Sequence, residues 1–222
     1  METFKRNRAA TTQRIVDAVE QILANEGIKG IGINAIAEKA SVSKVLIYRY
    51  FGSIEGLLDY YIRRGQLVPH YAPSWIEQIQ PAEPHDLAPI WSGQALQLFR
   101  QFRQFRSARE LLKASMTEAD SLGEAISSSL DAELTNLVNQ LAFIKGGDHQ
   151  ATSAIIFGAL SYLTIQAQLN RPVIGLDLRS ENGWRRIEEA VKMIYKSLNQ
   201  LAIDSPTIQI TTKPVTMVVG QW

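Results

Sequence analysis

From Thr11 onward, apolar residues recur at helical spacing (Ile15, Val16, Ala18, Val19, Ile22 and Leu23), and Gly27 is placed to stop the helix. A second, shorter pattern follows in Ile33, Ile36, Ala37 and Ala40, where two small residues allow another helix to approach closely. Ser41-Val42-Ser43 reads as a tight turn, and Lys44 to Tyr50 as a third helix with Ile47 and Phe51 inward. Ser43 is placed to cap that helix, because its hydroxyl can accept from the free N–H groups of the first turn. So short a helix, with so few inward positions, is not stable alone, so its outward side carries the interest. Ser53 caps a fourth helix with the stripe Ile54, Leu57, Leu58, Tyr61 and Ile62, ending at Arg63-Arg64-Gly65 where cations suit the helix dipole. Two short helices joined by a three-residue turn form the helix-turn-helix outline, whose second helix can enter the DNA major groove.

Beyond this head the pattern stays helical, with one interruption. Residues 66–88, with Pro69, Pro73, Pro81 and Pro84, predict a connection holding at most a short helix around Ser74–Ile79. Tyr71 and Trp75 there, with Trp91 just beyond, either line a ligand cavity or plug the core beneath an irregular loop. From Pro89 a helix over 90–106 carries Phe99, Phe102 and Phe105 beside Arg100, Arg103 and Arg106. The arginines either bind an anion or form a solvated face with pairs such as Arg106–Glu110. Helices over 108–118, capped by Ser107, and 122–144, capped by Asp120 or Ser121, come next. Gly146-Gly147-Asp148 breaks the chain and caps a helix over 149–169, and the last helix spans 182–202. Both final helices are apolar on too many sides for one packing face. The tail from Pro206 to Trp222 has strand-like character in Ile208-Gln209-Ile210, without a visible partner strand.

The head carries more than an outline. Ile36-Ala37-Glu38-Lys39-Ala40, then Val42-Ser43-Lys44, Ile47-Tyr48-Arg49-Tyr50-Phe51 and Ser53-Ile54-Glu55-Gly56-Leu57-Leu58, resemble the tetracycline-repressor (TetR-like) family of bacterial transcriptional regulators. The resemblance covers residues 10–65, about a quarter of the chain. It implies a DNA-binding head made of Asn34, Ser43, Lys44, Val45, Leu46, Tyr48, Arg49 and Tyr50. It also implies a helical effector domain, with candidate pocket residues Tyr71, Trp75, Trp91, Phe99, Phe102 and Arg103. Dimerisation through the last two helices is implied as well, at Ile155, Phe157, Ala159, Tyr162, Ile187, Val191 and Ile194. The departures from the family pattern fall on the DNA-facing side. Ser41 replaces the turn glycine and must adopt a left-handed conformation. Val45 and Leu46 replace a small and a hydroxyl residue, and Ile54 replaces a lysine. Apolar Val45 and Leu46 can pack on thymine methyl groups, but they cannot donate hydrogen bonds.

Composition changes this picture little. The 222 residues have no cysteine, which excludes disulfides and thiolate metal sites, and a formal net charge of +1. Residues 1–64 carry ten Lys/Arg against seven Asp/Glu, a basic head on a mildly acidic remainder. His70, His85 and His149 have no metal-ligand spacing, and no nucleophile, P-loop or dinucleotide motif occurs. No apolar run reaches the roughly 20 residues of a membrane span.

The reading is an all-α protein: an N-terminal three-helix helix-turn-helix head and a larger helical effector-binding and dimerisation domain. Its expected divisions are 1–65 (core 10–65, basic arm 1–9), 66–203 and a tail over 204–222. The arm is either a solvated terminus or a contact to phosphate or minor groove. The expected protein is cytoplasmic, is not an enzyme, and has neither cofactor nor membrane partner. It binds a palindromic double-stranded DNA operator as a homodimer and is released, as a repressor, by a small-molecule effector. The alternative is a helical small-molecule-binding or interaction protein whose head no longer reads DNA.

Overall fold

In a computed structural model of the chain, describing residues 2–66, 78, 81, 83–145, 148–205 and 209–210, the first helix starts well before Thr11. α1 spans Glu2–Glu26, so the expected basic arm is helical from its second residue. No glycine or proline interrupts residues 2–10, and nothing there stops the helix from extending. α2 (Ile33–Ala40), α3 (Lys44–Phe51) and α4 (Ile54–Tyr61) follow, and residues 62–66 continue as a π-helical turn. α5 (Leu87–Gln104), α6 (Arg106–Thr117) and α7 (Ser121–Gln140) come next, then α8 (His149–Gln168) and α9 (Glu181–Asp204). Tyr71 and Trp75 lie outside the described residues.

The chain divides into two compact units, and the division does not fall at residue 65. One comprises residues 1–68 with 101–133, and the other 69–100 with 134–222. The physical reason lies in α1. Its apolar residues Ile15, Val16, Val19, Ile22 and Leu23 are all buried, more than the short α2 and α3 can cover. α6 packs against α1 as well as α2 does, with Ala108, Leu111 and Leu112 buried. Ser107, expected to cap α6, lies inside that helix and is buried; the residue before the helix, Phe105, makes no side-chain cap. Its hydroxyl bonds Tyr61, a fully buried residue whose own hydroxyl donates to the Glu20 carboxylate, which ties α4 to α1 and α6.

Within this first unit the turn between α2 and α3 has the predicted strain. Ser41 sits at φ 52°, ψ 50°, and its N–H closes α2 onto the Ala37 and Glu38 carbonyls. A left-handed non-glycine residue costs roughly 1–2 kcal/mol, and the exposed Ser41 side chain has no packing to offset it. Ser41→Gly is therefore expected to stabilise the protein by about 0.5–1 kcal/mol, after the greater freedom of unfolded glycine is subtracted. A higher denaturant midpoint with an unchanged slope is the result to look for; an unchanged or lower midpoint contradicts the assignment.

In the second unit the tail finds a partner strand after all. β1 (Ile144–Lys145) pairs antiparallel with β2 (Gln209–Ile210), aligning Ile144 with Ile210 and Lys145 with Gln209. Ile144 therefore belongs to a strand and not to the stripe of the preceding helix, which ends at Gln140. Asp148 caps α8, accepting from the Ala151 N–H at 2.8 Å, and Ser180 caps α9, accepting from the Gly183 N–H at 3.0 Å. Arg100 of α5 pairs with Glu188 of α9, with Nε 3.0 Å from the carboxylate, so this arginine is structural.

Candidate nucleic-acid interface and ligand cavity

α3 buries only Ile47 and turns Lys44, Val45, Tyr48 and Arg49 to solvent. Residues 44 and 45 and their i+4 partners 48 and 49 share one face, and Val45 is 75% exposed. So exposed an apolar residue on a helix of eight has no partner in its own unit. Ser43 caps the helix, its hydroxyl accepting from the Leu46 N–H at 3.3 Å, and Leu46 itself is half-buried beside the row. Asn34 is exposed in the first turn of α2; the cap position there is Gly32, with no side-chain bond.

Tyr50 shapes the rim of this face. Its ring meets Phe51 edge-on at 6.2 Å, and Phe51 meets Tyr60 of α4 at 5.3 Å. Over the same ring stand two guanidinium groups, Arg49 at 5.6 Å and Arg8 of α1 at 5.0 Å. Arg8 is a functional candidate that the sequence reading folded into an anonymous arm. Its only sequence signal was membership in the basic cluster at residues 5–8. Behind the head, the α4 residue Asp59 accepts from Arg63 Nε at 2.7 Å and from Ser129 Oγ of α7 at 2.6 Å, while Arg63 lies 3.9 Å from Glu133. α4 is thereby fastened to α7 by polar bonds inside the unit.

The second unit contains a partly open cavity of about 290 Å³. Trp91, Ala95, Leu137, Leu141, Phe157 and Leu198 give it an apolar wall; Gln94, His149, Thr152, Ser153 and Tyr195 are the polar groups on it, with Asp148 at the N-terminus of α8. Of the expected pocket residues, Trp91 lines this space, its indole N–H spent on the Leu141 carbonyl at 2.8 Å. Phe99 is buried and touches the lining residue Phe157 at 5.8 Å between ring centres. Phe102 and Arg103 belong to the other unit and do not line the cavity. A spacing of three residues drifts around a helix of 3.6 per turn, so the phenylalanines do not share one face. Tyr195 stood in the sequence as one more stripe residue, and nothing in the stripe separates a wall residue from a packed one.

The expected dimer residues also divide. Ile155, Ala159, Tyr162 and Ile194 are exposed. Phe157 faces the cavity, and Ile187 and Val191 are buried within the unit, so these three serve internal packing. On α8 the exposed face runs Ala151, Ala154, Ile155, Gly158, Ala159 and Tyr162, and on α9 it runs Ala190, Met193, Ile194 and Leu201. Among the described residues no cluster of three or more His, Asp or Glu could hold a metal, and no helix is long and apolar enough to cross a membrane.

Comparison with known proteins bears on the head first. Residues 15–61 match the family model of the bacterial regulatory proteins of the tetR family. An uncharacterized HTH-type transcriptional regulator of Mycobacterium tuberculosis is 37% identical over 59 residues, 27% of this chain and 29% of that relative. The match thus spans less than a third of the relative's length. Among solved structures, a putative TetR-family transcriptional regulator from Rhodococcus sp. aligns with a TM-score of 0.54 at 17% identity, covering 84% of this chain and 99% of its own. The transcriptional regulator FadR from Bacillus subtilis, in complex with stearoyl-CoA, aligns with a TM-score of 0.52 at 18% identity, covering 83% and 97%. These similarities extend the shared all-α fold across both units. The head thus matches the tetR family model in sequence over residues 15–61, and the chain as a whole shares its fold with solved TetR-family regulators.

Proposed function

We propose that the chain is a ligand-responsive transcriptional regulator that binds a palindromic double-stranded DNA operator as a homodimer. A small-molecule effector releases it, which makes it a repressor. The observation that supports this reading most directly is the outward row of α3 (Lys44, Val45, Tyr48 and Arg49), set beside an Arg8 held over Tyr50. In a major groove, Tyr48 and Arg49 supply donors, Lys44 and Arg8 neutralise phosphate, and Val45 meets the methyl group of thymine.

The cavity is the effector site in this reading. α7 carries Ser129 and Glu133 toward α4 and, one turn further on, Leu137 and Val138 at the cavity wall. A ligand that binds two arrangements of α7 unequally shifts the population of DNA-competent heads. The stearoyl-CoA of the Bacillus subtilis structure is far larger than this space. At about 20–30 Å³ per non-hydrogen atom, 290 Å³ holds roughly ten to fifteen of them.

Selection of bound duplexes from a random-sequence pool, followed by affinity measurement over a salt series, tests the DNA reading. A two-fold-related sequence is expected to emerge. Lys44→Ala is expected to weaken binding similarly on all sequences and to reduce the salt slope by about 1, whereas Arg49→Ala relaxes preference at a defined base pair. Recovery of no preferred sequence at modest salt overturns the proposal. A second reading, a small-molecule-binding protein with a head that no longer reads DNA, draws on the same exposed Val45 with Leu46 and Ile54. It is favoured if tight DNA binding arises only after Gly, Thr and Lys are introduced at these three positions.

A further inference from the structure

The cavity of the second unit has one phenol on its wall, Tyr195 of α9. Tyr195 is 6% exposed, its ring lies 6.2 Å from that of Trp91, and burial is what raises its phenol. A phenol on a largely apolar wall is placed to exchange a hydrogen bond with a guest and so to orient it. The remaining polar groups near it are differently disposed. The Trp91 N–H is engaged with Leu141, and the Thr152 hydroxyl donates to the Asp148 carbonyl at 2.8 Å.

Charge decides what kind of guest fits. The lining contains no lysine or arginine. A helix N-terminus ordinarily attracts an anion, and α8 begins at this cavity. A carboxylate already stands at that terminus, Asp148 accepting from the Ala151 N–H. A guest carboxylate would be desolvated beside the Asp148 charge, with no lysine or arginine in the lining and the His149 imidazole as the one base there. A guest cation would find no buried carboxylate in the lining, since Asp148 is exposed and serves as a cap. Burial also pushes the Tyr195 phenol above its ordinary range, so it remains a neutral donor at physiological pH.

We infer that the cavity takes a compact, uncharged, largely apolar molecule with one hydroxyl or carbonyl group, bound through a hydrogen bond to Tyr195. This rests on the reading of the cavity as the effector site, but its chemistry is tested without DNA. Four probes of similar size suffice: 1-naphthol, 1-naphthoate, 1-naphthylmethylamine and 1-methylnaphthalene, measured by calorimetry on the full chain. The naphthol is expected to bind, and the naphthoate and the amine at least tenfold more weakly. Tyr195→Phe should weaken naphthol binding about three- to tenfold and leave 1-methylnaphthalene unchanged, the signature of a lost hydrogen bond and not of lost packing. Equal or tighter binding of either charged probe, equal losses for both neutral probes in the variant, or no binding of any probe overturns the inference. If naphthol binds as expected yet leaves DNA affinity unaltered, the site chemistry stands and the effector reading falls.

Discussion

On the proposed homodimer, changing Ile155 and Met193 together to aspartate is expected to leave a monomer and to remove most of the affinity for the proposed palindromic site. Ile155 is 74% and Met193 68% exposed, each on the outward face of a helix that is otherwise well packed. Around Ile155 stand Ala151, Ala154, Gly158 and Ala159, side chains small enough for another backbone to approach closely. Around Met193 stand Ala190, Ile194 and Leu201. A stable homodimer buries at least about 1,000 Å² and has an apolar centre, and two such faces per subunit supply one. Two carboxylates placed there, and repeated by symmetry, leave four desolvated charges without partners. Neither residue is buried within its unit, so the monomer itself should keep its helicity. Losing the second head removes an intramolecular binding event worth roughly 10²–10⁴ in affinity. Sedimentation at micromolar concentration, circular dichroism and DNA titration on wild type and variant provide the test. A wild-type monomer, or a variant that remains dimeric, refutes the assignment of these faces.

The head was the legible part of the sequence because its signals are local. A stop at Gly27, a cap at Ser43, a cap at Ser53 and a strained Ser41 each act within four residues of their own position. They also agree with the hydrophobic spacing around them, which is what makes a segment specify one structure. The features that escaped depend on neighbours distant in sequence. β2 pairs with β1 because the tail returns to the segment before α8, a matter of topology that the strand pattern of either piece cannot convey. Phe157, Ile187 and Val191 occupy apolar positions on helices that are apolar on several sides, so periodicity could not separate an inward face from an outward one. The cavity was harder still. Trp91 was within reach as an aromatic near a break, but Tyr195 joins it on the same wall only through the packing of α5 and α9, which leaves no trace in a sequence. Arg8 likewise gains its place only once α1 extends to Glu2 and brings its guanidinium over Tyr50.

Gly56→Ala is expected to destabilise the head by about 1–2 kcal/mol, although alanine is the better helix former. The reason is steric and specific to the junction of α3 and α4. A Cβ at position 56 would stand 2.2 Å from the Phe51 carbonyl oxygen, far inside van der Waals contact, and the obstacle is backbone that cannot rotate away. The Gly56 N–H also donates to the Ser53 hydroxyl at 3.1 Å, so the residue is held where the clash occurs. Relief requires moving the end of α3, and with it the Tyr50–Phe51–Tyr60 ring contacts that hold Arg8 and Arg49 at the edge of the outward row of α3. Overpacking of this kind costs about 1–3 kcal/mol and sometimes more, against a gain of about 1 kcal/mol from helix propensity. Gly93 provides the opposite sign in the same protein. It is exposed in the middle of α5 with nothing within 4 Å of its hypothetical Cβ, so Gly93→Ala should gain about 0.5–1 kcal/mol. Chemical denaturation of the two variants separates close approach from propensity. If both alanines stabilise, the junction is looser than this geometry requires; if Gly56→Ala alone destabilises and also weakens DNA binding, the carbonyl of Phe51 sets the angle at which α3 is presented.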